Sequence, residues 1–255
     1  MNEIGTLAWT RRTRGQMSPA ERFGFLVRGV GTQIGALSDR TLFALGVGRD
    51  RLARLDLDSL TLPDSAAVRE ASEVADTFPK WLWHHSMRSY VWCVALAQLD
   101  GIVGYDEECL YIGCLLHDAG LPPAVEARDD ACFTVRSADL AAGCATRGGW
   151  DDARRDHLCE SITLHVNPKV PPAQSVEGHL LAAGTTLDGV ALRRAWNIHP
   201  ELKAAVLERH PRLGMKKELR PVLKAHAKAA PRGRIAFMWR YGPLGTLVAR
   251  APWPE

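Results

Sequence analysis

The amino-acid sequence predicts an all-α protein, and three observations lead to this fold class. Apolar residues recur mostly at three- and four-residue spacing, which places them on one face of a helix. Alternating apolar and polar runs, which predict strands, are nearly absent. Serine or aspartate precedes several of the apolar segments, and glycine or proline follows them, as at helix ends. A chain of 255 residues can bury a sizeable core, so neither a metal nor a disulfide is needed merely to hold the fold.

The first part of the chain, residues 1–57, has the weakest pattern. Ser18 before Pro19 is typical of a helix start. Five glycines lie between positions 29 and 48, and they predict short helices draped over the rest of the protein. No phosphate-binding loop or dinucleotide fingerprint occurs here. We expect a helical extension over 1–57, a main domain over 58–235 and a C-terminal tail over 236–255.

The pattern becomes regular after position 62. A first helix is expected to end near position 75, and a second to span 81–99. The second helix is apolar nearly all round, which predicts that neighbouring elements bury it on most sides. His85 shares one face of it with Trp92 and Leu96, so its imidazole needs a buried partner.

The next helix is expected to begin at Asp106 and to end with His117 and Asp118, because Gly120 follows. His117 falls on the same apolar face as Cys114. Adjacent side chains diverge by about 100° on a helix, so both can reach one ion only beyond the last turn. Taken alone, such a pair is more typical of a hydrogen-bonded helix end.

Three further helices are expected, over 134–148 (or from 137), over 151–167 and from 175 onward. His165 lies on the apolar face of the second of these. Asp188 occupies a position on the third where an apolar residue is expected. The rest of the chain predicts two or three more helices and an irregular, proline-rich end.

Polar groups on apolar faces of four different helices form a candidate metal site. Buried imidazoles and carboxylates are costly unless they are paired or bind a cation. Two neutral imidazoles and two carboxylates suit one divalent ion, with zinc, iron or manganese compatible with such mixed ligands. The residues are His85, His117, Asp118, His165 and Asp188.

The cysteines and the charges limit the classes of protein to which this chain can belong. None of the six cysteines lies in a CxxC pair, so we interpret them as buried thiols in a reducing compartment. No apolar stretch approaches the roughly 20 residues of a membrane span, which predicts a cytoplasmic protein. Residues 199–255 carry 12 Lys or Arg against 4 Asp or Glu. We interpret this basic region as a solvated helical surface and not as a nucleic-acid site, because aromatic interleaving is sparse.

The sequence around the candidate metal-site residues adds a family resemblance. Five motifs follow one another: Leu62-Pro63-Asp64, His85-Ser86-Met87-Arg88-Ser89-Tyr90, Leu115-Leu116-His117-Asp118, Cys159-Glu160-Ser161-Ile162-Thr163-Leu164-His165-Val166-Asn167-Pro168 and Ala183-Gly184-Thr185-Thr186-Leu187-Asp188. In this order they resemble the HD-domain superfamily of metal-dependent hydrolases, and within it the cyanamide-hydratase-like branch. The resemblance covers roughly residues 58–235.

The resemblance implies an HD-domain helical bundle with one divalent metal in its centre, zinc first, with iron or manganese as alternatives. It implies metal ligands at His85, His117, Asp118 and Asp188. His165 would be a proton shuttle or substrate contact, and Arg88 would hold a ligand carboxylate from the second shell. The implied enzyme is a hydro-lyase or hydrolase that adds water to a small nitrile-like substrate, with cyanamide to urea as the type reaction. We expect a small apolar cavity lined by tryptophans and leucines around His85.

Two alternatives remain open at this point. A phosphohydrolase acting on a nucleotide or other phosphate ester is favoured by the basic region. It is disfavoured because the lysine that many superfamily members carry just after the Asp-x-Gly motif is missing after Gly120. A non-catalytic binding domain could instead keep the metal for structure. Partners are then a small molecule, no membrane and no nucleic acid, with homo-oligomerisation left open.

We also predict a single metal and no oxygenase activity. Arg136 stands where a further ligand would be expected, and a guanidinium repels a second cation at close range. The alternative is a weak second ion held by His165 with Asp129 or Asp130.

Overall fold

The protein is described by a computed structural model over residues 3–121, 130–191 and 194–255. Within these ranges it forms twelve α-helices, one short 3-10 turn and no strand, so the predicted all-α class is confirmed. The helices are α1 (Leu7–Thr13), α2 (Pro19–Ala44), α3 (Ala66–Ala75), α4 (Lys80–Asp100), α5 (Glu107–Leu116), α6 (Phe133–Arg147), α7 (Asp152–Leu164), α8 (Val176–Val190), α9 (Pro200–Arg209), α10 (Met215–Ala229), α11 (Arg234–Tyr241) and α12 (Leu244–Arg250).

Helix α4 is the centre of the bundle, as its all-round apolar sequence predicts. Its most extensive helix–helix contact is with α8, and Gly184 allows the two helices to approach closely. A Cβ at Gly184 would lie 2.4 Å from Cys93 Sγ and 2.6 Å from the carbonyl oxygen of Ser89. The main core fills the space between α4 and helices α3, α5, α6 and α7. Helices α9, α10 and α12 pack on the other side of α4 and α8.

The N-terminal segment differs from the prediction of short helices, since α2 runs unbroken for 26 residues. Ser18 and Glu21 form a capping box at its start, with Ser18 N donating to Glu21 Oε2 at 2.7 Å. The glycines did not end the helix because an internal glycine costs only about 1 kcal/mol relative to alanine. Near its start α2 is held by Phe25, whose ring packs edge-on against Phe237 at 5.8 Å.

The C-terminal segment also contains more helix than predicted. Helix α11 crosses residue 235, where the tail was expected to begin, and α12 follows it. Trp253 is buried and stacks on Trp92, with ring centroids 5.8 Å apart and planes 10° from parallel. Its Nε1 donates to the carbonyl oxygen of Leu187 at 3.1 Å. Residues 236–255 therefore complete the core beside α4 and α8.

Two further predictions can be compared with the structure. All six cysteines are free and buried. In the basic region, most cations lie on the surface, but Arg212 and Arg234 are buried and hydrogen-bonded inside the bundle. None of the helices in the described ranges combines the length and the apolar character that crossing a membrane requires.

Candidate metal centre

The end of α5 places His117 and Asp118 at the base of a cavity. His117 keeps helical backbone angles, and its N–H donates to the carbonyl oxygen of Gly113 at 2.9 Å. The chain then turns at Gly120, where a Cβ would lie 2.2 Å from the carbonyl oxygen of Phe133. Gly120 N donates to Ser137 Oγ at 2.9 Å, which fixes the turn against α6. This turn lets two adjacent side chains face the same point.

Three ligand-type atoms converge there. His85 Nε2 lies 3.2 Å from His117 Nε2 and 3.7 Å from Asp118 Oδ2, and His117 Nε2 lies 3.3 Å from the same Oδ2. All three side chains are buried. An ion with tetrahedral bonds of 2.0–2.1 Å separates neighbouring ligand atoms by about 3.3 Å. The buried group His85, His117 and Asp118 could therefore hold a metal ion.

The hydrogen bonds of the two imidazoles fit this interpretation. His85 Nδ1 donates to Asp188 Oδ2 at 2.7 Å, and His117 Nδ1 donates to the carbonyl oxygen of Cys114 at 2.9 Å. These partners accept only, so each ring carries a proton on Nδ1, and in its neutral form it turns an unprotonated Nε2 inward. Two lone pairs and a carboxylate then face one another, an arrangement that a cation stabilises.

The ionisation of the group differs between its two imidazoles. Burial opposes charge on His117, but the Asp118 carboxylate beside it outweighs burial and raises the pKa of His117 above its usual value. Burial lowers the pKa of His85, which favours the neutral ligand form. Burial also opposes charge on Asp118, but the neighbouring imidazoles of His117, His85 and His165 outweigh it and hold the pKa of this carboxyl well below its usual range. Asp118 therefore stays ionised at neutral pH.

Asp188 is not brought to the three converging atoms, in contrast to its predicted ligand role. Its carboxylate lies at the opposite edge of the His85 ring, on Nδ1. Arg88 holds it with two bonds, Nε to Oδ1 at 2.8 Å and Nη2 to Oδ2 at 3.0 Å. Trp92 Nε1 donates to Oδ1 at 3.0 Å, and Arg212 Nη1 lies 3.4 Å from Oδ2. These donors occupy its lone pairs and hold the pKa of Asp188 well below its usual range despite its burial.

Sequence reasoning placed Arg88 near a carboxylate, and in the structure that carboxylate is Asp188. It missed Trp92 and Arg212 as donors to the same group. Trp92 could have been found, because it shares a helical face with His85. Arg212 gave no local signal, since it lies among surface cations in the sequence and is fixed by a distant residue, with Nε 3.2 Å from Glu255 Oε1.

His165, at the end of α7, lies beside the three ligands. Its Nε2 is 3.8 Å from Asp118 Oδ1, and its ring centroid is 5.1 Å from that of His117. Nδ1 donates to the carbonyl oxygen of Ile162 at 2.6 Å, which leaves Nε2 unprotonated. Burial, with the charge of His117 second, lowers the pKa of His165 to about 3. The imidazole is therefore neutral at physiological pH.

The four residues lie at the base of a cavity of about 610 Å³. Its other walls come from Phe133 at the start of α6, from the segment after α7 and from α2, α8, α10, α11 and α12. This differs from the small, tryptophan-lined cavity that we expected, because no tryptophan is among the described lining residues. The tryptophans near His85 point into the core, and Trp92 and Trp253 stack on each other there. A separate cleft of about 760 Å³ beside α9 shares no lining residue with this cavity.

The described residues contain one group of three or more metal-ligand side chains, the group at His85. Asp129, named as a ligand for a second ion, lies outside the described residues. Asp130 is exposed, and its carboxylate lies 4.0 Å from Arg232. Arg136 donates to the carbonyl oxygens of Gly120 and Ala131 and so braces the turn after Asp118.

Comparisons with known protein families and with curated proteins assign neither a family nor a function to the chain. No protein-family model matches the chain. No curated protein matches it in sequence either.

Proposed function

We propose that this protein is a metal-dependent enzyme of the HD-domain type that adds water to a nitrile-like substrate. The observation that carries the proposal is the convergence of His85, His117 and Asp118 at the base of a cavity. A structural metal site is closed by protein ligands, whereas a catalytic one leaves a position for water or substrate. Three ligands that face a cavity favour catalysis over a purely structural role.

The proposed cofactor is one divalent ion, zinc first, with iron or manganese as alternatives. Two imidazoles and one carboxylate are ligands that zinc and non-haem iron both accept. When bound, the ion would supply Lewis acidity, which makes water ionise near neutral pH. Asp188 has a supporting role, since a carboxylate on Nδ1 fixes the ring orientation of His85 and raises its basicity as a ligand.

His165 is the proposed proton carrier. It is neutral, and its unprotonated Nε2 faces the space beside Asp118. As water adds, one O–H bond breaks, the oxygen bonds to the nitrile carbon and His165 Nε2 accepts the proton only transiently, because burial lowers the pKa of this imidazole to about 3. The same proton then passes to the nitrile nitrogen, which has gained negative charge. The resulting imidic acid tautomerises to the amide, which is urea when the substrate is cyanamide.

The charges of the cavity favour a neutral electrophile over a phosphate ester. Among the described lining residues only Lys169 and Arg194 are cationic. Arg194 is held by Asp100 through two bonds of 2.8 and 2.9 Å, and Lys169 is exposed. Phosphate sites in proteins place arginine or lysine directly on the anion. The phosphohydrolase alternative therefore lacks its main requirement in this part of the chain.

A substrate panel tests the proposal. The purified chain is loaded in turn with zinc, ferrous iron or manganese and incubated with cyanamide, with alkyl nitriles and with nucleotides. We expect urea or amide by proton NMR and no phosphate release. Phosphate release without hydration would move the assignment to a phosphohydrolase. Stoichiometric metal with neither product would favour the non-catalytic alternative.

A further inference from the structure

The cavity above the metal centre is far larger than a small nitrile requires. Its volume of about 610 Å³ lies within the range of sites that enclose drug-sized ligands, roughly 300–1,000 Å³. Cyanamide has three heavy atoms, so it would leave most of this space unfilled. The remaining volume needs another explanation.

The walls of the cavity are apolar. Only three of the described lining residues carry a formal charge, and they are Asp118 at the base, the paired Arg194 and the exposed Lys169. The walls away from the metal centre are mostly aliphatic or aromatic. They include Phe25, Phe133, Leu219, Leu223, Ile235 and Met238.

The cavity opens at an apolar rim on α2. Leu26, Val30 and Ile34 line the cavity and are also 42–65% exposed. They recur at helical spacing, so they form one edge of the opening. Large apolar side chains exposed at the rim of an apolar cavity mark a ligand-binding groove, because a ligand that covers them removes their surface from water.

Two glycines from different helices line the cavity at points where a side chain would enter open space. Gly29 on α2 and Gly189 on α8 both line the cavity, and a Cβ built at either position meets no atom within 4 Å. A larger side chain at either position would therefore extend into space that the described residues leave empty.

From these features we infer that the cavity binds a molecule with an extended apolar body, whose reacting group lies at the metal centre. This inference deepens the proposed function by naming the substrate class, and it rests on that function only for the placement of the reacting group. Binding of the apolar body depends on the walls and not on the metal.

Probe binding tests the walls directly. The metal-free, full-length chain is titrated with the apolar fluorophore N-phenyl-1-naphthylamine. We expect saturable binding of one probe per chain. Gly29→Phe and Gly189→Phe should each weaken it at least tenfold by placing an aromatic ring in the cavity, from α2 and from α8 respectively. Gly31→Phe is the matched control, since Gly31 lies on the same helix with an equally open Cβ but is exposed and does not line the cavity.

Equal affinity in all four proteins would overturn the inference, as would the absence of saturable binding to the wild type. Melting temperatures of the variants establish that each is folded, and Gly29→Leu replaces Gly29→Phe if the larger side chain prevents folding. Because the titration needs no metal, it decides the inference even where nitrile hydration fails.

A substrate series connects the cavity with the chemistry. With metal-loaded enzyme, kcat/KM should rise about fourfold per methylene from acetonitrile to hexanenitrile, in line with the burial of each added group. Gly29→Phe should flatten the rise, and Gly31→Phe should keep it. Hydration of short and long nitriles at equal rates would leave the proposed function intact and remove the apolar-substrate inference.

Discussion

His85 and Asp188 form a buried pair in which Nδ1 of the imidazole donates to Oδ2 of the carboxylate at 2.7 Å. The pair faces away from Asp118, so it orients His85 without occupying a ligand position. Asp188 in turn is held by Arg88, Trp92 and Arg212. The orientation of the His85 ring thus depends on a charged network behind it.

Replacing Asp188 by asparagine should affect both stability and metal affinity. Asp188→Asn leaves Arg88 buried without its counter-charge and removes one of the two carboxylates at Arg212, which should lower the free energy of unfolding by about 3–5 kcal/mol. Metal affinity should fall about 10- to 100-fold, as when the carboxylate behind a ligating histidine is lost. Urea unfolding and competition with a chelator measure the two effects. Asp156→Asn, which breaks an exposed pair with Arg11, is the control and should cost less than about 1 kcal/mol.

Removing a ligand should remove the metal. His117→Ala eliminates one of the three converging atoms, and elemental analysis of the purified variant should find less than one tenth of the wild-type metal content. Helical content should change little, because the fold does not require the ion at this chain length. His157→Ala, at a partly exposed histidine bound to Glu177, should keep full metal content. Stoichiometric metal in His117→Ala would rule out the ligand assignment.

The proposed role of His165 separates binding from turnover. His165→Gln should keep the metal, since Nε2 is not among the three converging atoms. It should reduce kcat by about 10²–10⁴, the usual contribution of a positioned acid or base. Steady-state kinetics on the best nitrile, together with metal analysis of the same preparation, checks this. Wild-type kcat in the variant would exclude His165 from the proton transfer.

His210 should make the metal-free protein less stable in acid. Burial, with the nearby charges of His84 and Arg88, lowers the pKa of His210 to about 4. Between pH 6.5 and 4 the unfolded chain takes up a proton that folded His210 does not. The free energy of unfolding should therefore fall by about 1.4 kcal/mol per pH unit as the pH decreases through this window. In His210→Gln this contribution disappears, so the pH dependence of urea unfolding should be shallower than in wild type. Parallel curves for the two proteins would contradict the prediction.

The contact between α4 and α8 can be tested with two glycines on the same helix. Gly184→Ala forces a methyl group against Cys93 and the backbone of Ser89, and overpacking of this kind costs about 1–3 kcal/mol. Gly189→Ala has open space around its new methyl group and should stabilise the helix by up to about 1 kcal/mol. In thermal unfolding, the melting temperature should fall in Gly184→Ala and rise in Gly189→Ala.

The fold class and most helices of the central region could be predicted from local patterns. Asp106 caps α5 and Asp151 caps α7, as their positions before apolar segments indicated. Helix α2 could not be predicted in full, because glycines weaken the pattern without preventing a helix. Capping by Ser18 and the packing of Phe25 on Phe237 supply what the local pattern lacks.

At the candidate site, the sequence indicated which side chains would be buried. It did not indicate which ring nitrogen of His85 each carboxylate would approach. Asp188 and Asp118 are both buried carboxylates near His85, and helical spacing alone cannot distinguish Nδ1 from Nε2. In the structure Arg88, Trp92 and Arg212 hold Asp188 on the Nδ1 side of His85, and Arg212 reaches it from a segment after α9 that is remote in sequence. The size of the cavity depends on α2 and α11, which are remote in sequence from the metal centre.

The position of α2 determines which substitutions can alter the cavity without altering the candidate metal ligands. The proposed metal ligands come from positions 85 to 118, whereas one wall of the cavity comes from residues 25–34. The rim side chains Leu26, Val30 and Ile34 touch solvent and the cavity, so their replacement leaves the central core unaltered. The converging ligand-type side chains and the α2 rim are thus encoded in separate stretches of the chain, and a library confined to α2 could alter what is bound while those side chains stay the same.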